Sequence, residues 1–234
     1  MLKGNLKPSV KSGGTYGPTR GRFISFEGGE GAGKSTQVRI LSERLAALGF
    51  KTLLTREPGG SPLGEKIRRF LLEGKVKNYG AVAEALLFYT ARHDHLEKLI
   101  LPNLKAGAWV ICDRFADSSR AYQGAASGVD DGIFDALDRI VVGDNQPELT
   151  IIIDLPVEVA MKRVMSRQLT EGGEVDRFES EDLRFHEKLR AGFLKIAAAN
   201  SNRCIIIDGN QSREKVAELV WQTVAERFGL EHVV

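Results

Sequence analysis

Two kinds of apolar pattern alternate along the chain. Phe23-Ile24-Ser25-Phe26, Thr52-Leu53-Leu54-Thr55, Trp109-Val110-Ile111-Cys112, Leu149-Thr150-Ile151-Ile152-Ile153 and Cys204-Ile205-Ile206-Ile207 are short and β-rich, and most are apolar at nearly every position. Such runs predict buried strands. Between them the apolar residues recur every three or four positions, as on one helix face. Val38, Leu41, Leu45 and Leu48 predict a helix ended by Gly49. After the break Gly59-Gly60-Ser61-Pro62 a helix is expected from about Leu63 to Leu72, then a longer one over Ala81 to Leu104, bent or interrupted at Pro102. Further helices are expected around Ile133, Leu137, Ile140 and Val141, from about Val157 to Arg167, from Glu181 to Ala198, and along Val216, Leu219, Val220 and Val224. Strands apolar on both faces and separated by helices predict an α/β fold: a parallel sheet with helices on each side.

The 42% hydrophobic fraction of the 234 residues can fill such a core, which excludes a wholly disordered chain. No apolar run approaches the ~18–20 residues that cross a bilayer, so no membrane partner is expected. Cys112 and Cys204 lie in apolar runs and read as small core residues in a reducing compartment. The net charge of +2 conceals an asymmetry: residues 1–22 hold five of the 33 basic residues and none of the 31 acidic ones, so the remainder carries −3. Residues 1–21, rich in glycine and without apolar period, are expected to be a flexible basic tail ahead of one domain over 22–234. A slightly acidic body argues against a nucleic-acid partner.

One stretch carries most of the chemistry. Gly28-Gly29-Glu30-Gly31-Ala32-Gly33-Lys34-Ser35 fits G-x-x-x-x-G-K-[ST], with a predicted strand before it and an amphipathic helix after it. Glycines let the backbone wrap a phosphate, and the helix N-terminus points its N–H groups at the anion. In this pattern Lys34 neutralises β/γ-phosphate oxygens and Ser35 holds Mg²⁺. The loop implies a nucleoside triphosphate and leaves the acceptor open. A GTPase would show Asn-Lys-x-Asp and Asp-x-x-Gly, and neither string occurs. A motor ATPase would end a strand in paired acids, whereas Ile153 is followed by Asp154-Leu155-Pro156. A kinase of a small anionic acceptor calls for a second, arginine-rich pocket. Arg56, Arg68, Arg69, Arg92 and Arg114 are available, and Arg114 follows Asp113 at a strand's C-terminal end, where open α/β sheets place ligands.

Phe26-Glu27-Gly28-Gly29-Glu30-Gly31-Ala32-Gly33-Lys34-Ser35-Thr36, Thr55-Arg56-Glu57-Pro58-Gly59-Gly60, Leu87-Phe88-Tyr89-Thr90-Ala91-Arg92, Asp113-Arg114-Phe115 and Asp117-Ser118-Ser119-Arg120-Ala121-Tyr122-Gln123-Gly124 together resemble the bacterial type of thymidylate kinase over about residues 22–230. The resemblance implies a three-layer P-loop nucleoside monophosphate kinase fold, transfer of the γ-phosphoryl of ATP to dTMP with Mg²⁺, a cytoplasmic location and a homodimer. A broader pyrimidine monophosphate kinase is the nearest alternative, and an ATPase using the tail as a DNA arm the more distant one.

The resemblance also distributes roles. Gly28 through Thr36 bind ATP, with Ser35 and Asp113 near the metal; Asp113 could also be purely structural. Arg114 grips the dTMP phosphate, assisted by Arg68, while Arg56 and Glu57 order the pocket loop. Phe88 stacks on thymine and Arg92, one turn on, reaches its O4 edge; Ser119 and Gln123 complete the base contact. Tyr122 lies under the sugar, and Glu30 accepts from the 3′-OH. His93 and His95 are expected at the surface. The phosphate loop has no arginine, so one is expected from a lid over about 167–179: Arg167 first, with Arg177 and Arg163 as the other candidates.

Overall fold

The computed structural model describes residues 20–171 and 177–230. Nearly all of the basic tail, and residues 172–176 of the expected lid, lie outside them.

All five apolar runs are strands: β1 (Phe23–Glu27), β2 (Thr52–Arg56), β3 (Trp109–Asp113), β4 (Leu149–Asp154) and β5 (Cys204–Asp208). They form one parallel sheet in the order β2-β3-β1-β4-β5. The helices are α1 (Lys34–Ala47), α2 (Pro62–Leu72), α3 (Gly80–His95), α4 (Leu101–Lys105), α5 (Ala116–Ser119), α6 (Asp131–Leu137), α7 (Val157–Glu171), α8 (Leu183–Ala199) and α9 (Arg213–Phe228).

Strand side chains alternate between two cores. Ile24, Phe26, Ile111, Ile151 and Ile153 pack with Val38, Leu41 and Leu45 of α1 and Val216, Val220 and Val224 of α9. Phe23, Val110 and Cys112 turn the other way, toward Ala85 and Tyr89 of α3 and Leu104 of α4. Ile152 joins them on that face, against Leu189 and Phe193 of α8. Both faces of the sheet's centre are thus covered, which is why β1, β3 and β4 are apolar at nearly every position. Both cysteines are free and buried.

Several helical stretches differ from the pattern. The long helical stretch widens to π-type over Leu96–Ile100, the turn before Pro102, which sits in the first turn of α4. Proline has no N–H to give to the carbonyl four residues back and its ring crowds that carbonyl, so the hydrogen-bond register shifts upstream of the ring. Helix α7 continues past Arg167 to Glu171. The segment Ala116–Ala126, α5 followed by a π-type stretch from Arg120, is helical without an apolar period. Its buried positions include Ser118, Ser119 and Gln123, polar groups turned toward other polar groups.

Candidate active site

The phosphate loop leaves β1 at the C-terminal edge of the sheet, between the ends of β3 and β4. The connection after β1 leads to α1 on one face, and that after β3 leads to the Ala116–Ala126 helix on the other. A crevice opens where adjacent connections diverge in this way. Gly28 and Gly31 have φ of 131° and 69°. A Cβ on Gly28 would lie 2.4 Å from the Ile153 carbonyl oxygen, and one on Gly31 2.5 Å from that of Ala160. Glycine is therefore required at both. Gly33 caps α1 without a side-chain bond, so the first-turn N–H groups remain for an anion. Lys34 Nζ donates to the carbonyls of Gly28 (3.1 Å) and Gly29 (2.8 Å). Burial and the neighbouring Arg114 charge push its ammonium down to about 8, against the opposing pull of Glu30.

The loop opens into a cleft of about 480 Å³. Seven basic side chains line it against three acidic ones, although the body as a whole is slightly acidic. That imbalance suits two phosphate-bearing ligands. Lys34, Ser35, Thr36, Glu30, Arg68, Phe88, Arg92, Asp113, Arg114, Ser119, Tyr122, Gln123, Arg163 and Arg167 all line this one space.

Arg114 occupies its centre. Its backbone is left-handed, with φ 71°, rare for a residue with a side chain. Its NH1 donates to the Gly28 carbonyl (3.0 Å) and Ser118 Oγ (3.3 Å), its NH2 to Glu30 Oε1 (2.7 Å), and the guanidinium stacks over Tyr122. Burial alone would raise the Glu30 carboxyl, but Arg114, Lys34 and the Tyr122 hydroxyl (2.5 Å) outweigh it and hold it at about 2. Ser35 Oγ donates to an Asp113 carboxylate oxygen.

At the other end Arg92 is 1% exposed. Its Nε donates to Glu57 Oε2 (2.8 Å), and NH2 to Ser119 Oγ (3.0 Å) and the Phe115 carbonyl (3.1 Å). Its NH1 has no partner among the described residues. Arg68 donates to the Pro58 carbonyl, while Arg69 is exposed. Phe88 is half-buried beside the cleft.

The lid arginines separate. Arg163 donates to the Gly209 carbonyl, and Arg167 pairs with Glu179. Arg177 lies outside the cleft lining, bound to Glu84.

His95 contradicts its surface expectation; His93 is exposed. His95 is wholly buried, with Nδ1 3.0 Å from Glu57 Oε1 and Nε2 2.7 Å from Thr55 Oγ1. Those two partners satisfy both ring nitrogens, which makes burial tolerable. Glu57 thus holds both His95 and Arg92.

Glu27 escaped the sequence reading of individual roles. Its carboxylate is buried, accepting from Phe115 N (2.7 Å) and Ser118 Oγ (2.5 Å) just behind Arg114. Asp117 nearby is clamped by Arg203 at 2.6 and 2.8 Å. An acid at the end of a buried strand, Phe23-Ile24-Ser25-Phe26-Glu27, was the available signal. Burial, then the Asp117 charge, push Glu27 up to about 8. The folded state therefore keeps a proton that the unfolded state releases near 4.5, and stability falls as pH rises from about 4.5 through 8. Glu27→Gln mimics the protonated form. Denaturant titrations between pH 5 and 8 should show a shallower decline for it than for the parent, by at most about 1.4 kcal/mol per pH unit. Parallel declines would show that Glu27 is ionised throughout.

The geometry is matched by comparison with known proteins. A family model for thymidylate kinase matches residues 26–220. The chain belongs to the thymidylate kinase family. It is 52% identical over 212 residues to the thymidylate kinase of Bradyrhizobium sp. (strain ORS 278), covering 91% of this chain and 93% of that one. It is 53% identical over 212 residues to that of Afipia carboxidovorans, covering 90% and 92%. The crystal structure of thymidylate kinase from Ehrlichia chaffeensis superposes with a TM-score of 0.69 at 35% identity, over 87% of this chain and 98% of that one. As a member of the family this kinase is an ATP-dependent nucleoside monophosphate kinase that phosphorylates dTMP to dTDP.

Proposed function

We propose the following division of labour for that reaction. Residues Gly28 to Thr36 hold the ATP phosphates, with Lys34 on the β/γ oxygens. Arg114 and Arg68 bind the dTMP phosphate. Phe88 stacks on the thymine, Arg92 donates to O4, and Ser119 and Gln123 meet the rest of the base edge. Tyr122 packs beneath the sugar, and Glu30 accepts from the 3′-OH. The observation that carries this reading is the Arg114 side chain, which joins the two halves of the cleft by bonding directly to Gly28 and Glu30 of the phosphate loop. An acceptor phosphate on its remaining donors lies against the donor phosphates, the close approach that phosphoryl transfer needs.

Ser35 and Asp113 are the residues that would hold Mg²⁺, as two hard oxygen donors beside Lys34. Among the described residues no three His, Cys, Asp or Glu side chains gather as a cage. That donor set suits an ion completed by phosphate and water. When bound, the ion offsets charge on the phosphate oxygens.

Two features of the setting belong to the same reading. The kinase is a homodimer, supported by apolar side chains exposed at Leu63 and Phe70 on α2 and at Val82 and Leu86 on α3. It works in the cytoplasm, which the free, buried cysteines favour. No helix among the described residues is long and apolar enough to cross a membrane.

Glu30 offers a direct test of the sugar assignment. Both of its donors, Arg114 and Tyr122, bind Oε1, and Oε2 is the atom assigned to the 3′-OH. Glu30→Gln should lower kcat/KM for dTMP about tenfold more than for 3′-deoxythymidine monophosphate, which lacks that hydroxyl. Equal losses would move Glu30 to a role in the loop or at the metal.

A further inference from the structure

Behind the base end of the cleft lies a buried polar cluster that the roles above leave unexplained. Glu84 on α3 is 5% exposed. Its Oε1 accepts from Gln123 Nε2 at 2.9 Å. Arg177 NH2 approaches the same carboxylate at 2.7 and 2.6 Å. Gln123 lines the cleft, whereas Glu84 and Arg177 do not. Gln123 is 1% exposed, and its Oε1 has no partner among the described residues.

An amide presents a donor on one side and an acceptor on the other, while a carboxylate only accepts. Glu84 therefore decides which way the Gln123 amide turns. Nitrogen must face the carboxylate, and oxygen is left over as an unused acceptor. The reverse orientation would set two oxygens against each other in a buried site and leave the Gln123 nitrogen without an acceptor among the described residues. Arg177 holds the carboxylate's charge and orientation from the far side.

We propose that Glu84 is a positioning residue for base selection, locking the Gln123 amide so that its oxygen receives a base with a proton on N3. The proposal rests on the reading that Gln123 meets the base edge. Thymine and uracil carry that proton. Cytosine has a lone pair at N3, which would face the Gln123 oxygen with no hydrogen between them. Turning the amide to suit cytosine is what Glu84 forbids.

Glu84→Gln keeps the shape and supplies an N–H that Gln123 Oε1 can accept, so the amide becomes free to turn. In that variant the dTMP-over-dCMP ratio of kcat/KM should fall about tenfold, while the dTMP-over-dUMP ratio stays within about twofold. A purely structural lesion would lower all three substrates together. Gln123→Leu should compress the dTMP-over-dCMP ratio by itself, and adding Glu84→Gln to it should change the ratio no further. If Gln123→Leu compresses the ratio and Glu84→Gln does not, the lock is overturned and the base contact stands. If Gln123→Leu leaves the ratio unchanged, both are overturned. Should Glu84→Gln fail to fold by its melting curve, the ratio is read in the double variant Glu84→Leu/Arg177→Met, which removes the acceptor and its counter-charge together. The same direction of change is expected there, and an unchanged ratio overturns the proposal.

Discussion

Arg114→Ala is expected to lower kcat/KM for dTMP about a thousandfold, a loss of about 4 kcal/mol in transition-state stabilisation. Two effects combine. The acceptor phosphate loses a buried, forked cation, and charge-assisted bonds to phosphate are the strong ones. Glu30 also loses its main counter-charge, leaving a buried carboxylate close to incoming phosphates with Lys34, the Tyr122 hydroxyl and, more weakly, His186 to offset it. Arg114→Lys restores a charge without the fork and should recover only part of the activity. Melting curves separate lost folding from lost chemistry. An alanine variant that folds and retains more than about a tenth of parent kcat/KM would remove Arg114 from the acceptor site.

Arg167→Ala carries the second large effect. None of Gly29, Glu30, Gly31 and Ala32 is basic, so charge spreading over the migrating phosphoryl needs a cation from elsewhere besides Lys34 and the metal. Arg163 and Arg167 both line the cleft from α7, while Arg177 is committed to Glu84. Arg163 is tied to a backbone carbonyl, whereas Arg167 is half-exposed with a carboxylate partner it can exchange for a phosphate. Its loss should lower kcat about a hundredfold with little change in either KM, the mark of an interaction made in the transition state. Near-normal kcat in Arg167→Ala, with a large loss in Arg163→Ala, would transfer the role one helical turn back.

The sheet was legible because its central strands β1, β3 and β4 are buried on both faces, which leaves runs of β-branched and aromatic residues that no amphipathic helix would show, and the half-buried edge strands β2 and β5 keep part of that pattern. The phosphate loop was legible because close backbone packing excludes Cβ at Gly28 and Gly31. What stayed hidden shares one cause. Glu27, Glu84, Asp117 and His95 are buried polar residues, and each is tolerated through a partner distant in sequence: Ser118, Gln123 with Arg177, Arg203, and Glu57. No local pattern announces such pairs. The helix over Ala116–Ala126 shows no apolar period because its buried face is mixed: Ala121 and Tyr122 join the apolar core, while Ser118, Ser119 and Gln123 meet polar groups. The shift of the π-type turn ahead of Pro102 is a response of the backbone, visible only once the proline is placed in the helix.

The central claim is that the cleft joins a triphosphate donor to a thymidine monophosphate acceptor. Initial-rate measurements of ADP release from purified protein with ATP and Mg²⁺ test it directly, against a panel of dTMP, dUMP, dCMP, dGMP and dAMP, with double-stranded DNA as an added arm. The account predicts ADP release that depends on dTMP, with dTDP formed one for one, and little response to purine monophosphates or DNA. ATP hydrolysis that proceeds equally without dTMP, or rises with DNA and forms no dTDP, would contradict it.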